Sequence, residues 1–205
     1  MNTGLPRISV AQTLADKIVA LKVGALPAIT RRKCEDLLID VVGLCVTARN
    51  EDYVASSVQG CDDDGSCTAI GHKRTLTAAG AAFVNGTAAH GHGGVGLGAF
   101  CDRAIRDERV LALAAKVKFA IDPDNPYPNN YTGHIRASMK DGGVFEERQP
   151  YLRGGAQEPL TRQDVTDKFI LNAEHGGWSK AQSDAALNLM AGLYNGRIDL
   201  SSLRG

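Results

Sequence analysis

Apolar positions recur with a helical period at the start of the chain. Ser9 is placed as an N-cap, and Val10, Leu14, Ile18 and Leu21 follow on one face before Gly24 and Pro27 stop the pattern. A second stripe runs through Cys34, Leu37, Leu38, Val41, Leu44, Cys45 and Ala48 and predicts a buried helix. Each large side chain buried there would contribute about 1.5–3 kcal/mol. GCDDDG (Gly60–Gly65) reads as a loop, and Thr68 to Ile70 as a short extended piece. Thr75 to His90, mostly Ala, Gly and Thr, predicts a helix packed closely on its neighbours, although Gly80 and Gly86 weaken it.

The texture then changes. Val110 to Lys118 reads as a short helix, and DPDNPYPNN (Asp122–Asn130) as a proline-rich turn. From Tyr131 to Met139 the pattern has period two, with Ile135, Ala137 and Met139 on one side and His134, Arg136 and Ser138 on the other. Lys140-Asp141-Gly142-Gly143 is a hairpin turn, and Val144 to Arg148 returns as the second strand. Thr161 with Asp164 resembles a capping box ahead of Val165, Phe169 and Ala173. Ser179 caps a last helix with Ala186, Leu189, Met190 and Leu193 inward. The expected class is α+β, mostly helical, with a helical domain built from both chain ends and a small hairpin-containing α+β insert.

The totals narrow the function classes. The 205 residues are 43% hydrophobic and 22% charged, as in an ordinary globular protein. Twenty-three basic residues balance twenty-three acidic ones, so no field attracts nucleic acid or an anionic membrane. No signal-peptide pattern is read, and the longest apolar window is too short to span a bilayer, so a cytoplasmic location is expected. Five cysteines, two of them on the second helix, fit reduced thiols better than a disulfide framework.

Candidate chemistry centres on VNGTAAHGHGGVGLGAFCD (Val84–Asp102). Gly91 to Gly96 matches G-x-G-x-x-G, but a helix precedes it and no acidic residue follows at the required distance, so no dinucleotide cofactor is expected. His90 and His92 with Cys61, Cys67, His72 or Cys101 do not form the paired short spacings of a zinc site, and Asp62-Asp63-Asp64-Gly65 lacks the closing Glu of a calcium loop. No metal is expected. His134, Arg136 and Lys140 on the polar strand face fit either a carboxylate contact or a solvated surface.

Several segments together resemble the MmgE/PrpD family: LADKIVAL, RRKCEDLLIDVVGLCV, CTAIGH, AAGAAFVNGTAAHG, then DERVLALAAKVKFAIDPD, IRASMKDG and EPLTRQDVTDKF. The resemblance implies a cofactor-independent lyase or isomerase (dehydratase, decarboxylase or epimerase) of small polycarboxylates, in a homodimer. It also implies a helical domain at residues 1–90 and 156–205, and a remnant of the smaller α+β lid at 91–155. In the family, N-G-T-x-A-H leads into an acid-rich H-x-x-D-F-D-D-T segment. Here HGGVGLGAF follows, which implies an internal deletion joined at about Ala89 to His92 and little or no remaining activity. From residue type, His90 and His92 are the candidates for proton transfer, and Arg136 and Lys140 for binding a polycarboxylate substrate. The rival expectation is a non-catalytic binding or assembly module.

Overall fold

A computed structural model describes residues 9–90 and 102–205. In chain order the elements are α1 (Val10–Ala20), α2 (Ala28–Ala48), α3 (Asp52–Gln59), β1 (Asp64–Thr68), β2 (Thr75–Leu76) and α4 (Ala78–His90). They continue with α5 (Asp102–Ile105), α6 (Glu108–Ala114), β3 (Gly133–Ser138), β4 (Val144–Gln149), α7 (Arg162–His175) and α8 (Lys180–Ala191). Two two-stranded antiparallel ribbons, β1–β2 and β3–β4, accompany the helices. The fold is α+β and mostly helical.

Helix starts follow the local chemistry. Ser9 Oγ accepts the N–H of Gln12 at 3.0 Å. Thr161 and Asp164 form the reciprocal box at the head of α7, and Ser179 with Gln182 form a second at the head of α8. Each box satisfies two backbone donors that the helix leaves free.

Among the described residues α2 is the central helix, packed against α4, α7 and α8. One core cluster joins Ile39, Val42 and Val46 of α2 to Val165, Phe169 and Ala173 of α7, with Trp178, Ala186, Met190 and Leu203. The other joins Cys45 and Ala48 to Val54, Ala69, Leu76, Ala81, Val84 and Ala88. Thr47 Oγ1 donates to the Asn172 carbonyl at 2.7 Å, and Gly71 N–H to the Leu203 carbonyl at 2.8 Å. Gly176 sits where any Cβ would run into the Val46 carbonyl, so glycine sets how closely α7 ends against α2.

Several expectations need correction. The apolar stripe on α2 is buried only in its last turns, whereas Leu37 is 64% and Leu38 39% exposed. α7 docks instead on the neighbouring face through Ile39, Val42 and Val46, where ion pairs flank the contact. α1 forms as expected but buries no residue. The first extended piece begins at Asp64 rather than Thr68, taking in the end of the presumed loop. Gly65 allows this, since a Cβ there would strike the Leu76 carbonyl of β2. Thr75 and Leu76 consequently belong to β2, and α4 starts at Ala78.

α6 spans Glu108–Ala114 rather than Val110–Lys118; it starts earlier because Asp107 Oδ1 caps it by accepting the Arg109 N–H at 2.9 Å. The hairpin forms about the expected turn, with β3 starting at Gly133 rather than Tyr131, Gly133 opposite Gln149 and Ser138 opposite Val144. Its apolar side is nevertheless open: Ile135 and Met139 are both more than half exposed. At the end of α8, Ala186 and Met190 are buried, while Leu189 and Leu193 are only partly so.

Arg74 staples the first ribbon to α3. Its Nε lies 2.7 Å from Asp64 Oδ1, and its two terminal nitrogens donate to the Val58 and Cys61 carbonyls at 2.8 Å each. Three acceptors on separate segments use the fixed fork of the guanidinium.

Candidate functional site

The N-G-T-x-A-H motif lies on the last turns of α4, and its first residue is structural. Asn85 Nδ2 donates to the Thr68 carbonyl at 3.0 Å, while Asn85 Oδ1 accepts the Ile70 N–H at 2.8 Å. The side chain thereby replaces a strand partner for the backbone leaving β1. The Cys45 thiol of α2 donates to the Asn85 carbonyl at 3.4 Å, and burial pushes that thiol up to about 12. A thiol so held is a packing group rather than a nucleophile. Sequence reading missed Asn85; its signal was a polar side chain between the small, packing residues of α4.

His90 is the last residue of α4. Its side chain, and His92 as a whole, lie outside the described residues. Arg136 and Lys140 are on the hairpin, Arg136 in β3 and Lys140 in the turn that follows.

Arg136 is engaged within the hairpin itself. Its Nη2 lies 2.9 Å and its Nε 3.0 Å from Glu146 Oε2 on β4, the residue directly opposite. His134 Nε2 lies 2.8 Å from the other oxygen, Glu146 Oε1, and Arg148 Nε lies 3.5 Å from it. Hydrogen bonds from His134 and then from Arg136 hold the Glu146 carboxyl below the usual carboxylate range. Asp122, 3.9 Å from both His134 Nδ1 and Arg148 Nη1, brings a second carboxylate to this face. Three basic side chains therefore share two acids. A substrate carboxylate approaching Arg136 competes with a carboxylate oxygen that two guanidinium nitrogens already hold.

Elsewhere, His72 is half-buried with an unpartnered Nε2, and both burial and the nearby Arg49 charge lower its pKa. An open groove of about 450 Å³ runs along the start of α2, lined by Arg31, Arg32, Glu35, Tyr194 and Asn195 with Ala28 and Ile29. Sequence reading did not single out this groove, because a short basic run looks the same whether solvated or facing a cavity. No group of three or more His, Cys, Asp or Glu able to hold a metal occurs among the described residues. None of the described helices is long and apolar enough to cross a membrane.

The fold and these motifs define a mostly helical α+β protein whose α4 carries an N-G-T-x-A-H end. The chain belongs to the MmgE/PrpD family: the MmgE/PrpD C-terminal domain matches residues 81–191 and the MmgE/PrpD N-terminal domain residues 12–92. Among curated proteins it is similar to human cis-aconitate decarboxylase, 33% identical over 82 residues, covering 40% of this chain and 17% of that protein. The mouse cis-aconitate decarboxylase is 34% identical over 83 residues, with the same coverage. The match thus spans less than a fifth of the length of these relatives. No solved structure matches the chain.

Proposed function

We propose that this chain is a shortened relative of the family's cofactor-independent lyases and isomerases of small polycarboxylates, and that it has little or no turnover by itself. Removing a proton beside a carboxylate needs a positioned base, and the enolate-like charge that develops needs cations or donors to hold it. These groups must converge on one substrate. The observation that carries the reading is the pairing of Arg136 with Glu146, which occupies the candidate carboxylate contact from within the hairpin. The overlap of the two family matches across residues 81–92 supports a join near Ala89 to His92. A single positioned acid or base contributes about 10²–10⁴-fold, so loss of several together removes nearly all rate enhancement.

The second reading is a non-catalytic binding or assembly module, including a homodimer. It is favoured by the exposed stripe of α1, where Val10, Leu14, Ile18 and Leu21 are all more than half exposed. Apolar faces of that kind are commonly covered by a partner.

The test is to incubate the purified protein with cis-aconitate, citrate and 2-methylcitrate and follow products by proton NMR. No turnover above the uncatalysed rate is expected. Turnover that disappears in His90→Ala would overturn the inactive reading. Light scattering tests the second reading: a stable monomer at micromolar concentration counts against assembly with itself.

A further inference from the structure

α2 separates its charges onto two sides. Its three carboxylates all turn to α7. Arg162 Nη2 lies 2.5 Å from Glu35 Oε2 and Arg162 Nε 3.0 Å from Asp36 Oδ1, while Lys168 Nζ lies 2.7 Å from Asp40 Oδ1. Arg31 and Arg32, one turn earlier, instead line the groove shared with Tyr194 and Asn195. Glu35 also borders the groove, and it shares Arg162 with Asp36, so the two arginines outnumber the one acid that lines the groove. Neither Arg31 nor Arg32 has a carboxylate partner among the described residues.

The geometry points to this groove as a binding site for a small anion with at least two negatively charged oxygens, a dicarboxylate or a phosphate, gripped by Arg31 and Arg32. Arg31 stands with its Cζ 6.0 Å from the centre of the Tyr194 ring. A guanidinium stacked in this way keeps its in-plane N–H edge available for a bidentate oxyanion. The Tyr194 hydroxyl, beside the Cys34 thiol, and the Asn195 carboxamide add polar groups next to it. A volume of about 450 Å³ suits a small molecule, and Ala28 and Ile29 provide an apolar edge for a short carbon skeleton. Two adjacent cations favour a dianion over chloride, because one doubly charged ligand satisfies both at once. This site does not rest on the reading of the family activity, since it uses neither His90 nor the hairpin.

The test is an NMR titration of the full chain, following the arginine Nε–H signals. Inorganic phosphate and succinate are added separately at constant ionic strength maintained with chloride. Saturable shifts of Arg31 and Arg32 with either anion are expected, and the stronger of the two identifies the ligand class. Affinity should fall about tenfold or more in Arg31→Gln, as for loss of a charge-assisted bidentate contact. It should stay unchanged in Lys180→Gln, whose ammonium pairs with Asp184 on α8. Tyr194→Phe, which keeps the ring under Arg31, should weaken binding several-fold and provides the reading if Arg31→Gln does not fold. Shifts that rise linearly with both anions, or equal affinity in the substituted and unsubstituted proteins, would overturn the site.

Discussion

Asn85 accepts the backbone N–H of Ile70 at 2.8 Å and, through the other end of the same carboxamide, donates to the carbonyl of Thr68 at 3.0 Å. The first residue of the family motif is thus the clamp that ties α4 to the strand beside it. Replacing it with alanine leaves a partly buried donor and a partly buried acceptor unpaired. Asn85→Ala should lower unfolding free energy by about 2–3 kcal/mol, read from urea denaturation. An unchanged midpoint would mean that water takes over both bonds.

Glycine is required at one helix end and costs stability inside another. At Gly176 a Cβ would collide with the Val46 carbonyl, and the backbone there has an ordinary negative φ, so the penalty is steric rather than conformational. Gly176→Ala should destabilise by about 2 kcal/mol or more through overpacking. At Gly86, within α4, a Cβ meets nothing within 4 Å among the described residues. Gly86→Ala should therefore stabilise by about 0.5–1 kcal/mol. Paired thermal melts check both signs in one experiment.

His72 makes the stability pH-dependent. Burial, and then the Arg49 charge, lower its pKa in the folded protein below the unfolded value of about 6.5. The unfolded chain then binds the proton more readily, so this contribution is complete above about pH 6.5 and is lost as pH falls through the folded value. Denaturation midpoints followed from pH 7.5 downward should decline below that point. His72→Gln should flatten the decline, and an identical slope in both proteins would remove His72 as its source.

Cys45 should be the slowest of the described thiols to react. Burial pushes it up to about 12, leaving almost no thiolate at neutral pH, while Cys34, Cys61 and Cys67 are only partly buried. Alkylation with iodoacetamide at pH 8, read by peptide mass spectrometry, should label Cys45 only under unfolding conditions. Labelling as fast as that of Cys61 in the native protein would contradict this burial.

Local signals in the sequence were strong where the physics is local. Thr161 with Asp164, and Ser179, mark helix starts because a cap requires only its own first turn. Lys140 to Gly143 marks the hairpin because Gly142, at φ +87°, supplies the left-handed turn conformation within four residues. The core choice of Val165, Phe169 and Ala173 was also readable, since a single buried face leaves an unambiguous period.

The sequence by itself therefore determined the mostly helical α+β class, the helix caps, the hairpin turn and the family resemblance, all of which depend on neighbours along the chain. Tertiary structure decided which side of α2 meets α7. That side was Ile39, Val42 and Val46 rather than Leu37 and Leu38, because an apolar helix has more than one face able to bury and the ion pairs to Arg162 and Lys168 select one. It also decided that Asn85 is a clamp and that Arg136 is held by Glu146. The chemical role of a polar side chain depends on the partner across the fold, and that partner is set by how the elements pack.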